Sequence, residues 1–314
     1  MRLYRHESDL PADAHGAVVT LGNFDGVHLG HQAVIAQAAK IARETAKPLA
    51  VLTFEPHTKA FFRPDSPPFR LTPLRTKLHA LEMLGVDHVI ALAFDQAFSE
   101  LTAEDFAVRI LKGGLRISHA VAGGDFRYGH KHAGTMDSLT QAGAVHGFGV
   151  TRVSPVSAGD GTVYSATAIR QFVAAGDMGA AAALLGRPWE IDGHVIGGDQ
   201  RGRTLGFPTA NVKLGEYLRP AFGIYAVRAR LDRPGAQWID GVANLGIRPM
   251  WRTDEPMLET HLFDFSGDIY GQVLRVRLIE RLRAEAKFDS VEALVAQVDR
   301  DKIAAREALR TQPA

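Results

Sequence analysis

Two histidines, His28 and His31, stand three residues apart beyond a glycine-rich turn. The stretch reads Val18-Val19-Thr20-Leu21-Gly22-Asn23-Phe24-Asp25-Gly26-Val27-His28-Leu29-Gly30-His31. Ala17 to Leu21 has the character of a buried parallel strand. A helical pattern opens at His31 and carries Ile35, Ala38, Ala39 and Ala42. A strand, a Gly-rich turn and a helix start gather free backbone N–H groups at the positive end of a helix dipole. That arrangement favours an anion such as phosphate. Gly30 lies between the histidines, where a backbone can approach a ligand closely. Zinc is the rival reading. Zinc-protease helices space two histidines four apart with a glutamate beside the first, and this stretch has neither feature.

A second phosphate-suited stretch runs from Gly197 to Asn211. Gly197 to Thr204 nearly matches a P-loop, with Arg203 in the lysine position. A P-loop must run into a helix, and Gly206 and Pro208 deny one. What remains is a Gly and Arg loop, including Gly202 and Arg203, able to wrap phosphates by backbone and guanidinium contacts.

These stretches need a frame to hold them. The first half alternates strand and helix patterns. Strands are expected at Leu49–Phe54, His88–Phe94, His119–Ala122 and Val150–Val153, and helices at Leu74–Leu84, Ala103–Leu111 and Met136–Val145. Lys59 to Pro73, with four prolines and three phenylalanines, is expected to be a loop. Alternating elements argue for an α/β domain with a parallel sheet covered on both faces. Ligands then lie at the carboxyl ends of the strands, where Gly22–His31, Phe54–His57 and Gly123–Phe126 all open. Ser165 to Gly186 reads as one alanine-rich helix, and Gly186-Arg187-Pro188 breaks it. The domain boundary is placed there, giving domains 1–186 and 187–314. Beyond it, Val227, Ala229 and Leu231 alternate with arginines, as do Leu274, Val276 and Leu278. Such period-two strands suggest a small antiparallel β-barrel. A last helix is expected after Asp289 as its cap, with Val291, Leu294, Val295 and Val298 on its buried face.

Composition narrows the function classes. The net charge is +1, from 36 basic and 35 acidic residues in 314. That gives no overall case for a nucleic-acid partner. There are no cysteines, hence no disulfides and no thiolate-bound metal. No apolar run suits a signal peptide or a membrane span, so a cytoplasmic protein is expected. A homo-oligomer is left open.

The longest motifs carry a family resemblance. Gly22 to His31 contains the His-x-Gly-His signature of nucleotidylyltransferases, and the whole string resembles their FAD synthetase branch. Asp125-Phe126-Arg127-Tyr128-Gly129 and Ser165-Ala166-Thr167-Ala168-Ile169-Arg170 resemble further segments of the same branch. Pro208-Thr209-Ala210-Asn211, with Gly202, Gly206 and Phe207, resembles the riboflavin kinase signature. That likeness continues through Gly241–Pro249, Glu259–Phe265, Asp268–Gly271 and Arg283–Phe288. The chain is therefore similar to the fused prokaryotic riboflavin kinases and FAD synthetases. It departs from them at Thr58, His132, Ala166 and Met250.

The resemblance implies a set of roles. The C-terminal half would phosphorylate riboflavin to FMN, and the N-terminal half would adenylylate FMN to FAD with loss of pyrophosphate. ATP would serve both steps, with Mg2+ as cofactor. His28, His31 and Glu259 would be catalytic, Glu259 as a general base. ATP would meet Gly22, Asn23, Phe24, Asp25, His28, His31, Ser165, Thr167 and Arg170 at one site, and Gly202, Arg203, Thr209 and Asn211 at the other. Thr209 and Asn211 would hold the metal through hard oxygens. Phe54, Phe62, Asp125, Phe126 and Glu259 would meet the flavin. A tRNA ligase is disfavoured by the balanced charge and the small barrel. A flavin storage protein would not need Thr209, Asn211, Glu259 and both histidines together.

Overall fold

The structure is a computed structural model that describes residues 1–157, 161, 163–197, 206–247 and 255–312. Two compact units emerge from the packing. One comprises Met1–Ser66 and Lys77–Ser165, the other Pro67–Thr76 and Ala166–Ala314.

The first unit is built on a parallel six-stranded sheet. Its strands are β1 (Arg2–Tyr4), β2 (Val18–Leu21), β3 (Leu49–Glu55), β4 (His88–Ala93), β5 (His119–Gly123) and β6 (Gly149–Val153). They run in the order β1-β4-β3-β2-β5-β6, and every pairing is parallel. Successive residues point to opposite faces. Val19, Leu21, Leu52 and Ala122 therefore join one core, with Phe106, Leu111 and Leu139 from the helical segments on that side. Val18, Val51, Val89 and Val121 join the other, beneath helices α1 (Leu29–Glu44) and α3 (Leu74–Met83). The sheet is thus covered on both faces, as expected. The strand order reverses between β2 and β5, so the crevice at their carboxyl ends is the topological switch point where such sheets bind ligands.

Several local expectations are corrected. The first helix starts at Leu29 rather than His31, because His28 caps it. Lys59–Pro73 is not wholly loop, since α2 (Thr58–Phe62) forms behind the cap of His57. The expected helix at Ala103–Leu111 is one short turn followed by a π-helical segment, Phe106–Gly114. The edge strand β1 carried too short a pattern to be expected.

The second unit holds an antiparallel six-stranded sheet. Its strands are β7 (Trp189–His194), β8 (Ala210–Lys213), β9 (Gly223–Leu231), β10 (Ile239–Gly246), β11 (Met257–Leu262) and β12 (Val273–Arg283). The order is β7-β12-β9-β10-β11-β8. An antiparallel bridge between Ile196 and Asn211 brings the two edges together, so the sheet nearly closes into the expected barrel. Val227, Ala229, Leu245, Leu258, Leu274, Val276 and Leu278 are all buried, while the alternating arginines take the opposite face, where Arg228 and Arg275 are themselves buried and paired with Asp240 and Glu190.

The alanine-rich segment is two helices, Ala166–Ala175 and Met178–Leu185. Gly176 at φ +83° ends the first, and the Asp177 carboxylate caps the second by accepting from the Ala180 N–H at 2.9 Å. Both helices cluster with the barrel, ahead of the boundary expected at Gly186–Pro188. Segment 67–76 belongs to the same unit. The Trp189 indole N–H donates to the Leu71 carbonyl at 2.9 Å, and the Thr76 hydroxyl donates to Asp192 at 2.9 Å. Tyr217 also donates to Asp192, at 2.6 Å. Burial, with the Asp192 carboxylate beside it, pushes the Tyr217 phenol well above its usual range.

The C-terminal helix, Val291–Arg310, is capped by Ser290 rather than Asp289, with the hydroxyl accepting from the Ala293 N–H at 3.1 Å. Its buried stripe is Asp301, Ala305 and Leu309, not the stripe expected from Val291 to Val298. Ala305 and Leu309 pack on Ala226, Val242 and Ile279, so the last half of the helix makes the contact.

Candidate functional site

At the switch point, the turn after β2 is held from below. Phe24 and Val27 are buried in the core and carry φ of 48° and 43°. For a bulky and a β-branched residue this is a strained backbone, of the order of 1–3 kcal/mol each, maintained by the surrounding packing. The Asn23 carbonyl accepts from the Lys77 ammonium at 2.7 Å and from the Thr53 hydroxyl at 3.1 Å. Lys77 is fully buried and also lies 3.8 Å from Glu55. The Asn23 side-chain amide reaches the Thr58 hydroxyl at 3.1 Å. Lys77 was not singled out in the sequence. Its helical stretch gives no reason to bury a lysine, and its partners lie far away in the chain.

The histidines are fixed on this turn. His28 is 7% exposed and is the N-cap of α1. Its Nδ1 accepts from the His31 backbone N–H at 3.4 Å. That bond uses Nδ1 as an acceptor, which leaves Nε2 as the ring's donor. The two imidazoles stack with centroids 3.7 Å apart, and Phe24 packs edge-on to His31. A Cβ on Gly30 would come within 3.1 Å of the His28 ring and 3.2 Å of the Tyr164 carbonyl. The close approach expected at Gly30 is therefore to His28, whose ring it lets settle on the first helical turn. His57 repeats the pattern at the end of β3, with its Nδ1 accepting from the Lys59 N–H at 3.1 Å.

The expected flavin contacts divide. Phe54 and Phe126 are partly buried against the core, Phe54 meeting Phe94 and Phe98, and Phe126 stacking on Tyr128. Phe62, on α2, is 59% exposed. Asp125 is exposed in the turn after β5. Ser165 is the last residue of the first unit, whereas Thr167 and Arg170 belong to the second. There the Arg170 Nε–H donates to the Phe69 carbonyl at 2.9 Å.

On the barrel, three polar residues line up across adjacent strands. Asn211 on β8 is the Cα partner of Glu259 on β11, and Glu259 is the Cα partner of Asn244 on β10. Directly opposed residues share a face, with Cβ atoms roughly 4.5–5.5 Å apart. Asn211 and Glu259 are each 6% exposed. His261, two residues beyond Glu259 on the same face, hydrogen-bonds the Pro208 carbonyl at 2.9 Å. Lys302 of the C-terminal helix lies 5.5 Å from the Phe207 ring centre. The loop carrying Thr209 is thereby tied to β11 and to the helix. Gly202, Arg203 and Met250 lie outside the described residues.

The donor set suits a hard cation. Thr209 offers a hydroxyl and Asn211 an amide oxygen. Among the described residues no group of three or more His, Cys, Asp or Glu could hold a metal. An ion held by Thr209 and Asn211 would take phosphate oxygens and water as further ligands, the usual habit of magnesium. Among the described residues no helix is long and apolar enough to cross a membrane.

Comparison with known proteins covers both units. The FAD synthetase family profile matches residues 10–167, and the riboflavin kinase profile matches residues 185–309. The chain is 41% identical over 308 residues to the bifunctional riboflavin kinase/FMN adenylyltransferase of Escherichia coli (strain K12), spanning 98% of this chain and 97% of that protein. Identity to the protein of that name from Pseudomonas fluorescens is 42% over 307 residues, spanning 98% and 97% of the two chains. A solved structure from Streptococcus pneumoniae, described as a macrolide-efflux protein, is 33% identical with a TM-score of 0.84, over 97% of this chain and 98% of that one.

Proposed function

This chain belongs to the bifunctional riboflavin kinase/FMN adenylyltransferase family, and on that premise we propose which residues carry each step. The protein is a transferase that makes FAD from riboflavin in two steps, phosphorylation to FMN and adenylylation of FMN. We assign adenylylation to residues 1–186 and phosphorylation to residues 187–314, with ATP as donor in both and a cytoplasmic location.

In the kinase step, the Glu259 carboxylate takes the proton from the terminal hydroxyl of riboflavin as its oxygen attacks the γ-phosphorus of ATP. The P–O bond to ADP breaks and ADP leaves. Thr209 and Asn211 would hold Mg2+, which when bound would neutralise phosphate charge. Gly202 and Arg203 would add further phosphate contacts. The pairing of Asn211 with Glu259 is the observation that supports this assignment, because an amide oxygen and a carboxylate then stand on directly opposed positions of one face.

In the second step, a phosphate oxygen of FMN attacks the α-phosphorus of ATP and pyrophosphate leaves. His28 donates from Nε2 as charge builds, beside His31 and the N–H groups that open α1. Gly22, Asn23, Phe24 and Asp25 shape the phosphate turn. Ser165 is assigned to the same ATP, and Phe54, Phe62, Asp125 and Phe126 to the flavin. Incubation with riboflavin, ATP and magnesium, followed by chromatography of the flavins, tests the scheme. FMN and then FAD should accumulate, and a flavin bound without conversion would contradict it.

A further inference from the structure

Asn244 carries a polar atom that the described residues leave unanswered. Its Oδ1 is shielded from solvent and accepts no hydrogen bond from the described residues. Buried polar atoms are almost always paired, so an unpaired one calls for a reason. The residue lies between Glu259 on β11 and Ile224 on β10's other neighbour, β9. The row across the sheet therefore reads Asn211, Glu259, Asn244, Ile224.

We propose that Asn244 accepts a hydrogen bond from a secondary hydroxyl of riboflavin's ribityl chain, and so selects the polyol and aims its terminal hydroxyl at Glu259. This rests on the assignment of Glu259 as the kinase base. The chemistry follows from atom types. A shielded amide oxygen needs a donor, and hydroxyls neighbouring the reacting one are the donors nearest to that base. The row also has a direction. The β8 side, with Asn211, takes metal and phosphate. The β10 side, with Asn244 and then the apolar Ile224, takes the ribityl chain and leads toward the flavin ring.

The test uses Asn244→Leu, close in shape but without the acceptor, and Asn244→Ala in the full-length protein. Riboflavin phosphorylation is measured at saturating ATP-magnesium, and binding of riboflavin and of lumiflavin, which lacks the ribityl chain, by fluorescence titration. The KM for riboflavin should rise about tenfold or more, because its hydroxyl loses a buried partner. The KM for ATP, lumiflavin binding and adenylylation of supplied FMN should stay within twofold of wild type. The melting temperature of the ligand-free Asn244→Leu protein should not fall, since removing an unpaired buried acceptor costs the fold nothing. A merely structural asparagine would give the reverse: lower melting, and riboflavin and lumiflavin weakened alike. An unchanged riboflavin KM in either variant, or equal weakening of both flavins, overturns the proposal. Glu259→Gln is run alongside. Wild-type turnover there would sink the kinase-base assignment itself, whatever Asn244 does.

Discussion

Asn211 and Glu259 face each other as Cα partners across β8 and β11, though β8 and β11 are separated in the chain by β9 and β10. The sheet thus sets a neutral amide beside a carboxylate, and the two are assigned opposite duties. Asn211 has no useful proton acceptor for catalysis, and Glu259 has one. Their losses should therefore differ. Asn211→Ala should raise the magnesium and ATP needed for FMN formation, with partial recovery at high magnesium. Titration of magnesium in the kinase assay checks this, and an unchanged requirement would remove Asn211 from the metal site.

The first-unit turn predicts a selective failure. His28→Ala removes the ring donor assigned to the ATP phosphates at the start of α1. FAD formation from supplied FMN should fall about 10²–10³-fold, the usual cost of one charge-stabilising donor. Riboflavin phosphorylation should remain near wild type. Equal loss of both activities would indicate a damaged fold or a shared site.

Lys77 should act through the turn it props up. Lys77→Met leaves the Asn23 carbonyl with the Thr53 hydroxyl alone and removes the ammonium beside Glu55. The expected cost in stability is roughly 1–3 kcal/mol. Adenylylation should drop by about 10–100-fold, the effect of misplacing a catalytic turn, while FMN formation persists. A variant destabilised by that amount but with unchanged FAD synthesis would make Lys77 a purely structural residue.

These two residues also mark what was readable in the sequence. His28 sits in a contiguous string, so its place after a strand and before a helix followed from local pattern alone. Lys77 could not be found that way, because what buries it is the carbonyl of Asn23, 54 residues distant. The pairing of Asn211 with Glu259 was hidden for the same reason, since strand order in an antiparallel barrel is a tertiary property. The alternation of β12 revealed a strand but not its neighbours. Even local chemistry misled at the last helix, where Asp289 and Ser290 are both good caps and the structure uses Ser290. The packed stripe then fell on Ala305 and Leu309, because the sheet meets the end of that helix and not its start.

The barrel should not stand on residues 187–314 alone. Such a fragment lacks Leu71 and Thr76, leaving the buried Trp189 N–H without its carbonyl and Asp192 without one donor. Each loss costs about 1–3 kcal/mol. It also lacks the helices at Ala166–Leu185. Denaturant unfolding of the fragment should show a clearly lower midpoint than the barrel transition of the full chain. Equal midpoints would show that those contacts contribute nothing.

His261 adds a pH dependence. Burial, reinforced by Lys302 and Arg306, lowers its pKa below the ordinary 6.5, while its bond to the Pro208 carbonyl works the other way. The unfolded chain therefore takes up the proton first as pH falls. The stability this group contributes is complete above about 6.5 and is lost as pH drops through the lower folded value. His261→Asn keeps an N–H donor but does not titrate. It should flatten the fall in stability below pH ~6.5, as followed by thermal melting. An identical pH profile in the variant would assign the dependence to other groups.

The most direct measurement is single-turnover phosphorylation of riboflavin by the Glu259→Gln variant at saturating ATP-magnesium. The substitution keeps size and hydrogen bonding and deletes the base. The rate should fall by about 10²–10⁴-fold, nearer the lower end because loose phosphoryl-transfer transition states lean less on a base. Flavin binding should hold, and FAD should still form from supplied FMN. A wild-type rate in that single turnover would contradict the account and leave Glu259 no part in the chemistry.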